Sequence, residues 1–197
     1  MLIRREQSGD AAAVAAVHRS AFAAVRDAVA AGVHAEATGS ARTDPAHPAT
    51  GQADAEPVEV GLVERLRGDP AWIATLSLVA VEFEEVVGHV CLTRASVGPF
   101  PVLALAPLGV RADRQRAGVG SALMHAAIGA ADALDEPLIG LLGSLEYYPR
   151  FGFGPAARLG ITPDEPSWVT HFQVRPLTAF EPRITGEFHY AEPFYQL

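Results

Sequence analysis

Apolar residues spaced three to four positions apart predict two helices in the N-terminal part of the chain. Asp10 can cap the first helix, which continues to Ala24 and at most to about Ala31, and whose apolar stripe is Val14, Val17, Ala21 and Phe22. The second helix is predicted over Val58–Arg67, and Gly68-Asp69-Pro70 ends it. A short strand candidate, Leu2–Glu6, precedes both helices.

Alternating and continuous apolar runs predict a sheet in the rest of the chain. Leu76–Phe83 and Val86–Val97 are expected to form a hairpin, and the next strand, Pro101–Val110, is expected to be broken by Pro107 and Gly109. The further predicted elements are a helix over Gly118–Leu134 with Val119, Leu123, Ala126, Ala127 and Ala130 on its apolar side, a strand over Pro137–Leu142, a single-turn helix from Ser144 to about Arg150, and strands over Trp168–Arg175 and Ile184–Tyr190. This order predicts a mixed α/β sheet that is mostly antiparallel in its first half.

The composition changes between the two N-terminal helices. Arg26–Pro57 is rich in Ala, Gly, Thr, Asp and Pro and has almost no large apolar side chain. Such a segment buries too little surface to offset the entropy lost on ordering. We therefore predict a flexible insertion at 26–57 within one domain that spans 1–197, and a lid over the functional site is the alternative.

Composition and charge restrict the function classes. Of the 197 residues, 49% are hydrophobic and 19% are charged, which suffices for a packed core. The net charge of −8 argues against nucleic acid as the main partner, because such proteins usually carry a basic surface. An acidic balance suits a cationic amine substrate, although solubility explains the charge equally well.

The sequence predicts no membrane segment, disulfide or metal site. The first residues lack the long apolar stretch of a signal peptide, and the longest apolar runs are shorter than a membrane span. Cys91 is the one cysteine, and its place in a predicted strand indicates a buried small hydrophobe. No residues have the spacing of metal ligands, so no metal is expected. These features predict a cytoplasmic protein.

The most informative motif is Gln115-Arg116-Ala117-Gly118-Val119-Gly120-Ser121, between an apolar strand and an Ala-rich helix. Glycines let a backbone loop curl around an anion, and the N–H groups at a helix start point toward it. The missing lysine excludes a P-loop, and Leu123 replaces the small residue of a dinucleotide fingerprint. From the glycines alone, a cradle for a nucleotide-like cofactor and a plain tight turn are both open.

Three stretches together resemble the GNAT superfamily of acetyl-CoA-dependent N-acetyltransferases. Leu108-Gly109-Val110 with Gln115–Gly120 is similar to its Q/R-x-x-G-x-G/A signature, and Tyr147-Tyr148-Pro149-Arg150-Phe151-Gly152-Phe153 resembles its Y-x-K/R-x-G-F segment in a bacterial branch. Leu78–Val81 with Val86–Val90 is more weakly similar to its second-to-third strand hairpin. The resemblance implies an α/β (α+β) fold: a mixed, mostly antiparallel sheet of about seven strands flanked by about four helices, splayed between the fourth and fifth strands.

The resemblance also implies acetyl-CoA as the co-substrate. In this family the pantetheine arm enters the gap between the splayed strands, so the main chain of Leu108, Gly109 and Val110 is expected to bind it. Pro107 and Gly109 are plausible residues for a β-bulge there, and a plain strand end is the alternative. The pyrophosphate is expected on backbone amides of the glycine loop, namely Gln115, Arg116, Ala117, Gly118, Val119, Gly120 and Ser121. Arg114 and Arg116 are candidates for contacts with the 3′-phosphate or the adenine end, and two solvated loop arginines are an equally good interpretation.

Tyr148 stands where the family has the acid that protonates the departing thiolate, and a core aromatic is the alternative. Tyr147 is assigned to packing or to the substrate wall. The general base is open: Glu146 is the candidate because it is close to Tyr148, and water can also relay the proton. His89, His125 and His171 are expected to be structural or exposed.

The residues and the resemblance together predict an N-acetyltransferase that acts on a primary amine of a small molecule or peptide. Direct attack in a ternary complex is expected, because no activated Cys or Ser is evident. A non-catalytic acyl-CoA-binding module of the same fold is the first alternative, and a Rossmann-type nucleotide protein is the second. The acceptor, and whether the protein is a monomer or a homodimer, stay open.

Overall fold

A computed structural model describes residues 1–30 and 56–196, with the backbone alone for residues 24–30. In these residues nine strands form one mixed sheet, together with three α-helices and several short 3-10 turns. The strands are β1 (Leu2–Arg5), β2 (Trp72–Glu82), β3 (Glu85–Val97), β4 (Phe100–Val110), β5 (Leu138–Leu142), β6 (Gly154–Pro155), β7 (Ile161–Pro163), β8 (Phe172–Pro176) and β9 (Gly186–His189). The helices are α1 (Ala11–Ala30), α2 (Val58–Arg67) and α3 (Val119–Asp132).

The sheet is antiparallel except at two strand pairs. Its main order is β1-β2-β3-β4-β5-β8-β6, and β9 pairs with both β3 and β7. The pairs β4–β5 and β7–β9 are parallel. The change of direction between β4 and β5 follows from the chain path, because α3 connects them as a crossover helix.

Adjacent residues of β3 show how the helices divide between the two faces of the sheet. A Cβ placed on Gly88 would lie 2.9 Å from side-chain atoms of Leu123 and Val119, both in α3. The next residue, His89, points to the opposite face and contacts His18 of α1. One face is therefore covered by α3, while α1 packs on the other, where Val14 of α1, Val63 of α2 and Val79 of β2 form a small core cluster.

The predicted fold class is confirmed, whereas three details of it were wrong. The described residues contain nine strands rather than about seven, because the two- and three-residue strands β6 and β7 are too short to give a periodic signal. They contain three α-helices rather than about four, since the turn after Ser144 is the 3-10 helix Tyr148–Phe151. The buried stripe of α3 also includes Met124, Ile128 and Ala131, and Ala126 and Ala130 are only half-buried.

The expected break in β4 does not occur. The strand is continuous over Phe100–Val110, and its pairing with β3 shifts register between Leu92–Leu105 and Val90–Leu108. Two residues of β4, Ala106 and Pro107, therefore lie opposite Cys91 alone, as in a β-bulge. The bulge accommodates a proline that has no N–H to donate, so the strand bends instead of ending.

Two predictions on the segment between α1 and α2 concern residues that the structure does not describe in full. The first helix is described over Ala11–Ala30, and its predicted limit near Ala31 lies outside the described residues. Most of the insertion predicted at 26–57 lies outside the described residues, so it stays a prediction. Over the described ranges, none of the helices has the length and apolar character that crossing a membrane requires.

Candidate active site

The parallel strands β4 and β5 pair over only a short stretch. Leu103 lies opposite Ile139 and Ala104 opposite Gly140, and no further pairs continue between these two strands. β4 nevertheless extends to Val110, along the partner β3. The sheet therefore opens between β4 and β5 toward the carboxyl ends of both strands, as predicted. An opening of this kind can admit an extended ligand that pairs with strand backbone.

Helix α3 begins beside the end of β4. Gly118 precedes the helix with φ 87°, in the left-handed region that favours glycine, and Arg116 has φ 60°. A Cβ on Gly120 would lie 3.5 Å from Val110, so the first turn packs directly against the strand. The first N–H groups of any helix lack an intrahelical acceptor and lie at the positive end of the helix dipole. This exposed turn is therefore a suitable site for an anionic group.

The side chains of the glycine loop have different roles. The Gln115 amide donates to the carbonyl oxygen of Val110 at 3.2 Å, which ties the loop to β4. Arg114 forms ion pairs with Glu82 at 3.4 Å and with Asp113 at 3.6 Å. Arg116 is exposed. Of the two arginines proposed for the 3′-phosphate, Arg116 is thus the one that extends into solvent.

Two polar residues fix the turn that carries the tyrosine pair at the end of β5. Ser144 accepts at its hydroxyl from the N–H groups of Glu146 and Tyr147, at 3.3 and 3.2 Å, as predicted for a capping serine. Gln173 of β8 is fully buried and donates to the carbonyl oxygens of Gly143 and Ser144, at 3.2 and 3.4 Å. The positions of both tyrosines are thus set by the turn rather than by their own packing alone.

Tyr148 lies in this turn with only 5% of its surface exposed. Its ring covers Gly143, where a Cβ would clash, and packs edge-to-face on Tyr147 and Phe153. Burial, and to a lesser extent Tyr147, raises the pKa of the Tyr148 hydroxyl above its ordinary value. The hydroxyl therefore keeps its proton at neutral pH and can donate it.

Tyr147 reaches the start of α3. Its hydroxyl lies 2.9 Å from the position of a Cβ on Gly120, and it hydrogen-bonds the side chain of Ser121. Burial raises the pKa of Tyr147, an effect that the Ser121 hydrogen bond opposes. The Arg150 guanidinium lies over the ring, 4.9 Å from its centroid. The structure therefore brings together the glycine loop and the tyrosine turn, which lie in separate parts of the sequence.

The other candidate residues have plainer environments. Glu146, proposed from the sequence as the base, has an exposed side chain on the tyrosine turn. His125 is exposed on α3, as expected. Cys91 is buried and donates from Sγ to the Ala106 carbonyl at 2.7 Å, and burial raises the pKa of its thiol. No group of three or more His, Cys, Asp or Glu side chains that could hold a metal ion occurs in residues 1–30 and 56–196.

Sequence reasoning missed a buried polar network on the α1 face of the sheet. His18 Nε2 lies 2.9 Å from His89 Nδ1, and His89 Nε2 lies 2.9 Å from Ser77 Oγ. Ser77 donates to one carboxylate oxygen of Glu6, and Arg67 donates twice to the other, at 3.0 and 2.6 Å. A signal was present in the sequence, because His18 falls between Val14 and Phe22 on the stripe that predicts the buried face of α1.

Comparison with known proteins gives a consistent set of relatives. The model of the Acetyltransferase (GNAT) family matches residues 44–153. The uncharacterized N-acetyltransferase YjhQ of Escherichia coli is 33% identical over 143 residues, which are 68% of this chain and 79% of that protein.

Two solved structures extend the likeness to the whole fold. The Escherichia coli GNAT family N-acetyltransferase YhbS, in complex with CoA, superposes with a TM-score of 0.76 at 25% identity, covering 98% of this chain and 91% of that one. A Brucella melitensis GNAT family acetyltransferase in complex with acetyl-CoA gives a TM-score of 0.69 at 26% identity, covering 98% and 97%.

Proposed function

The chain belongs to the GNAT acetyltransferase family, and from that premise we propose that it transfers an acetyl group from acetyl-CoA to a primary amine. The observation that carries the proposal is the meeting of three features at one place. These are the opening between β4 and β5, the exposed start of α3 and the buried tyrosine turn. Two structural relatives, one solved in complex with CoA and the other with acetyl-CoA, support acetyl-CoA as the ligand of this opening.

The residues of the site fit such a ligand. The main chain of Leu108, Gly109 and Val110 would pair with the amides of the pantetheine arm, as an added strand does. The pyrophosphate would lie on the amides of the turn from Gln115 to Ser121, where the helix dipole favours negative charge. The exposed Arg116 would contact the 3′-phosphate of CoA.

The chemistry requires one acid and one base. The amine nitrogen attacks the thioester carbonyl carbon, the C–S bond breaks, and the departing thiolate takes a proton from the hydroxyl of Tyr148. The nitrogen loses one proton to a base, for which Glu146 is the candidate chosen from the sequence. Tyr148 regains a proton from solvent, so the products are the N-acetylated amine and CoA with its thiol restored.

We propose direct attack in a ternary complex rather than an acetylated enzyme. Cys91 is the one cysteine of the chain, and burial raises the pKa of its thiol, which disfavours the thiolate that a covalent route needs. Ser77 is fully buried, and its proton goes to the Glu6 carboxylate rather than to His89. Neither residue has the environment of an activated nucleophile.

The experiment combines ligand binding with turnover. Acetyl-CoA should raise the midpoint of thermal unfolding, because it binds the folded state alone, whereas NAD should not. A panel of amines incubated with the protein and acetyl-CoA should then give at least one product heavier by an acetyl group, detected by mass spectrometry. Stabilisation by acetyl-CoA without any acetylated product would favour an acyl-CoA-binding module, and stabilisation by NAD alone would contradict the proposal.

A further inference from the structure

The direction of every hydrogen bond in the buried network follows from one residue. Burial disfavours the charged carboxylate of Glu6, but hydrogen bonds from His89 and Ser77 and the charge of Arg67 outweigh it and lower its pKa to about 2. Glu6 is therefore ionised at neutral pH and can only accept. Ser77 has a single proton and donates it to Glu6, so its oxygen must accept from Nε2 of His89.

The same logic fixes the tautomers of both histidines. Because Nε2 of His89 carries the proton, Nδ1 of a neutral His89 is an acceptor. Nε2 of His18 lies 2.9 Å from that nitrogen and must donate to it. Nδ1 of His18 is then unprotonated and carries a lone pair. It is the open end of the row of hydrogen bonds that runs from His18 through His89 and Ser77 to Glu6.

This open end faces the strand that the site uses. Nδ1 of His18 has no hydrogen-bond partner among the described residues, although the side chain is 0% exposed. Such a buried, unsatisfied acceptor costs stability and calls for a functional explanation. A Cβ on Gly109 would lie 2.6 Å from this nitrogen, so no larger residue could stand between it and the β4 backbone. Gly109 belongs to the stretch proposed to hold the acetyl-bearing arm.

We propose that His18 is the base of the acetyl transfer, and that His89, Ser77 and Glu6 form a relay that draws the proton away from it. The inference rests on the proposed function. The base is then His18 instead of Glu146, whose side chain is exposed on the tyrosine turn. His18 has a fixed lone pair on Nδ1, and the hydrogen-bonded chain behind it ends at the ionised Glu6.

The step balances without any further reactant. After the amine nitrogen bonds to the carbonyl carbon, its surplus proton passes to Nδ1 of His18. The proton on Nε2 of His18 passes at the same time to Nδ1 of His89. His18 is neutral again in its other tautomer, and His89 carries the positive charge with Nε2 only 3.4 Å from the Glu6 carboxylate. The proton returns to solvent by the reverse path after the product leaves.

The surroundings keep both rings in the state that this role needs. Burial, reinforced by His89 and Arg67, lowers the pKa of His18 well below its ordinary value. Burial also lowers the pKa of His89, against the opposing pull of Glu6 and Asp10. Phe22 stacks on His18, with ring centroids 5.9 Å apart. Both rings are therefore neutral at neutral pH, and Nδ1 of His18 keeps its lone pair.

The decisive variant is His18→Gln, because glutamine can keep the donor toward His89 and lacks the Nδ1 lone pair. We expect kcat to fall about a hundredfold or more, as for the loss of a general base, with the acetyl-CoA dissociation constant unchanged within about twofold. The remaining rate should rise tenfold per pH unit as hydroxide replaces the base. His189→Gln, exposed on β9 and paired with Asp164 and Glu187, is the control and should leave the rate and pH profile unaltered.

A measurement on the wild-type protein tests the relay without any variant. Nitrogen-15 NMR of labelled histidines should show His18 and His89 both protonated at Nε2 and bare at Nδ1 at neutral pH. An Nδ1-protonated tautomer of either ring would overturn the inference, and so would a His18→Gln protein with wild-type kcat and pH profile. A loss of activity in Glu146→Gln with none in His18→Gln would make Glu146 the base.

The outcomes also separate this inference from the proposed function. If the wild-type protein acetylates an amine and His18→Gln does so equally well, the relay is wrong and the function stands. If the wild-type protein acetylates nothing on a broad amine panel, the proposed acetyl transfer is contradicted, and the role of His18 as its base is contradicted with it. If His18→Gln does not fold, Ser77→Ala interrupts the relay between His89 and Glu6, and it should lower kcat while leaving acetyl-CoA binding unchanged.

Discussion

The hydroxyl of Tyr147 occupies the space that a side chain on Gly120 would need, 2.9 Å from the position of its Cβ. Gly120 lies inside the first turn of α3, so it is required there by a close approach and not by a left-handed backbone. The contact joins the glycine loop to the tyrosine turn. Neither motif indicates this contact when it is read alone, because the two lie on opposite sides of β5 along the chain.

Gly120→Ala is expected to weaken acetyl-CoA binding. The added methyl must displace the Tyr147 hydroxyl or shift the helix start, and either change moves the amides proposed to hold the pyrophosphate. We expect a dissociation constant about tenfold higher, which corresponds to about 1.4 kcal/mol, measured by isothermal titration calorimetry.

Gly129→Ala is the matched control for this substitution. It lies in the same helix, and a Cβ there meets nothing within 4 Å. Alanine is favoured over glycine in a helix interior by about 0.5–1 kcal/mol, so this variant should be slightly more stable and should bind acetyl-CoA normally. Equal affinities for the Gly120 and Gly129 variants would contradict the role assigned to the helix start.

Tyr148→Phe is expected to slow acetyl transfer without weakening acetyl-CoA binding. The variant removes the proposed acid and retains the ring that covers Gly143. We expect kcat to fall about a hundredfold or more, because the thiolate must leave unprotonated. Steady-state kinetics and calorimetric titration together check both parts of this expectation.

Tyr147→Phe separates the two neighbouring tyrosines. Its hydroxyl contacts Ser121 at the helix start, so its loss should affect acetyl-CoA affinity more than kcat. The reverse result, in which Tyr147→Phe abolishes turnover and Tyr148→Phe does not, would transfer the acid role to Tyr147.

The extent to which the sequence predicts this molecule depends on what kind of signal each feature leaves. The buried stripe from Val14 to Phe22 and the strand Glu85–Val97 have strong periodicity, and both were predicted nearly to their ends. The bulge at Ala106–Pro107 was one of two alternatives, because pairing with Cys91 in β3 decides whether a proline ends a strand or bends it.

The candidate site shows the same division. The glycine loop and the tyrosine turn were found because each is a local motif. The His18–His89 pair was missed because 71 residues separate its members, and only the packing of α1 on β3 brings them together. His18 was nonetheless detectable as the one titratable residue on an otherwise apolar helical stripe.

Gly140→Ala is expected to destabilise the fold beside the splayed strands. A Cβ there would lie 2.5 Å from the ring of Phe188, which is 0% exposed in β9. Overpacking of this kind costs about 1–3 kcal/mol, and at about 2–4 °C per kcal/mol the unfolding midpoint should fall accordingly. Gly154→Ala, where a Cβ meets nothing within 4 Å, is the control.

A second substitution tests whether the ring of Phe188 is the cause. Phe188→Leu removes the ring atoms that the new methyl would meet, so the double variant should be less destabilised than the sum of the two single variants. A coupling of at least about 0.5 kcal/mol is expected for residues in contact, from chemical denaturation. Strict additivity would indicate that Gly140 is needed for another reason.

The buried histidines should make the protein less stable as the pH falls below the ordinary histidine value of 6.5. In the unfolded chain both rings bind protons near that value, whereas in the folded protein burial lowers both pKa values. The unfolded state therefore binds more protons in this range, and the free energy of unfolding decreases as the solution is acidified. Each excluded proton contributes at most about 1.4 kcal/mol per pH unit.

Glu6 should add a second loss of stability at lower pH. Its pKa is lowered from 4.5 to about 2, so its contribution is present above pH 4.5 and disappears between that value and about 2. Denaturant titrations from pH 8 to pH 3 should therefore show a decline that begins near 6.5 and continues below 4.5. In His18→Gln the first part of the decline should be shallower, because glutamine does not titrate. A His18→Gln protein with the full wild-type slope would mean that His18 is protonated in the folded state, contrary to its buried position.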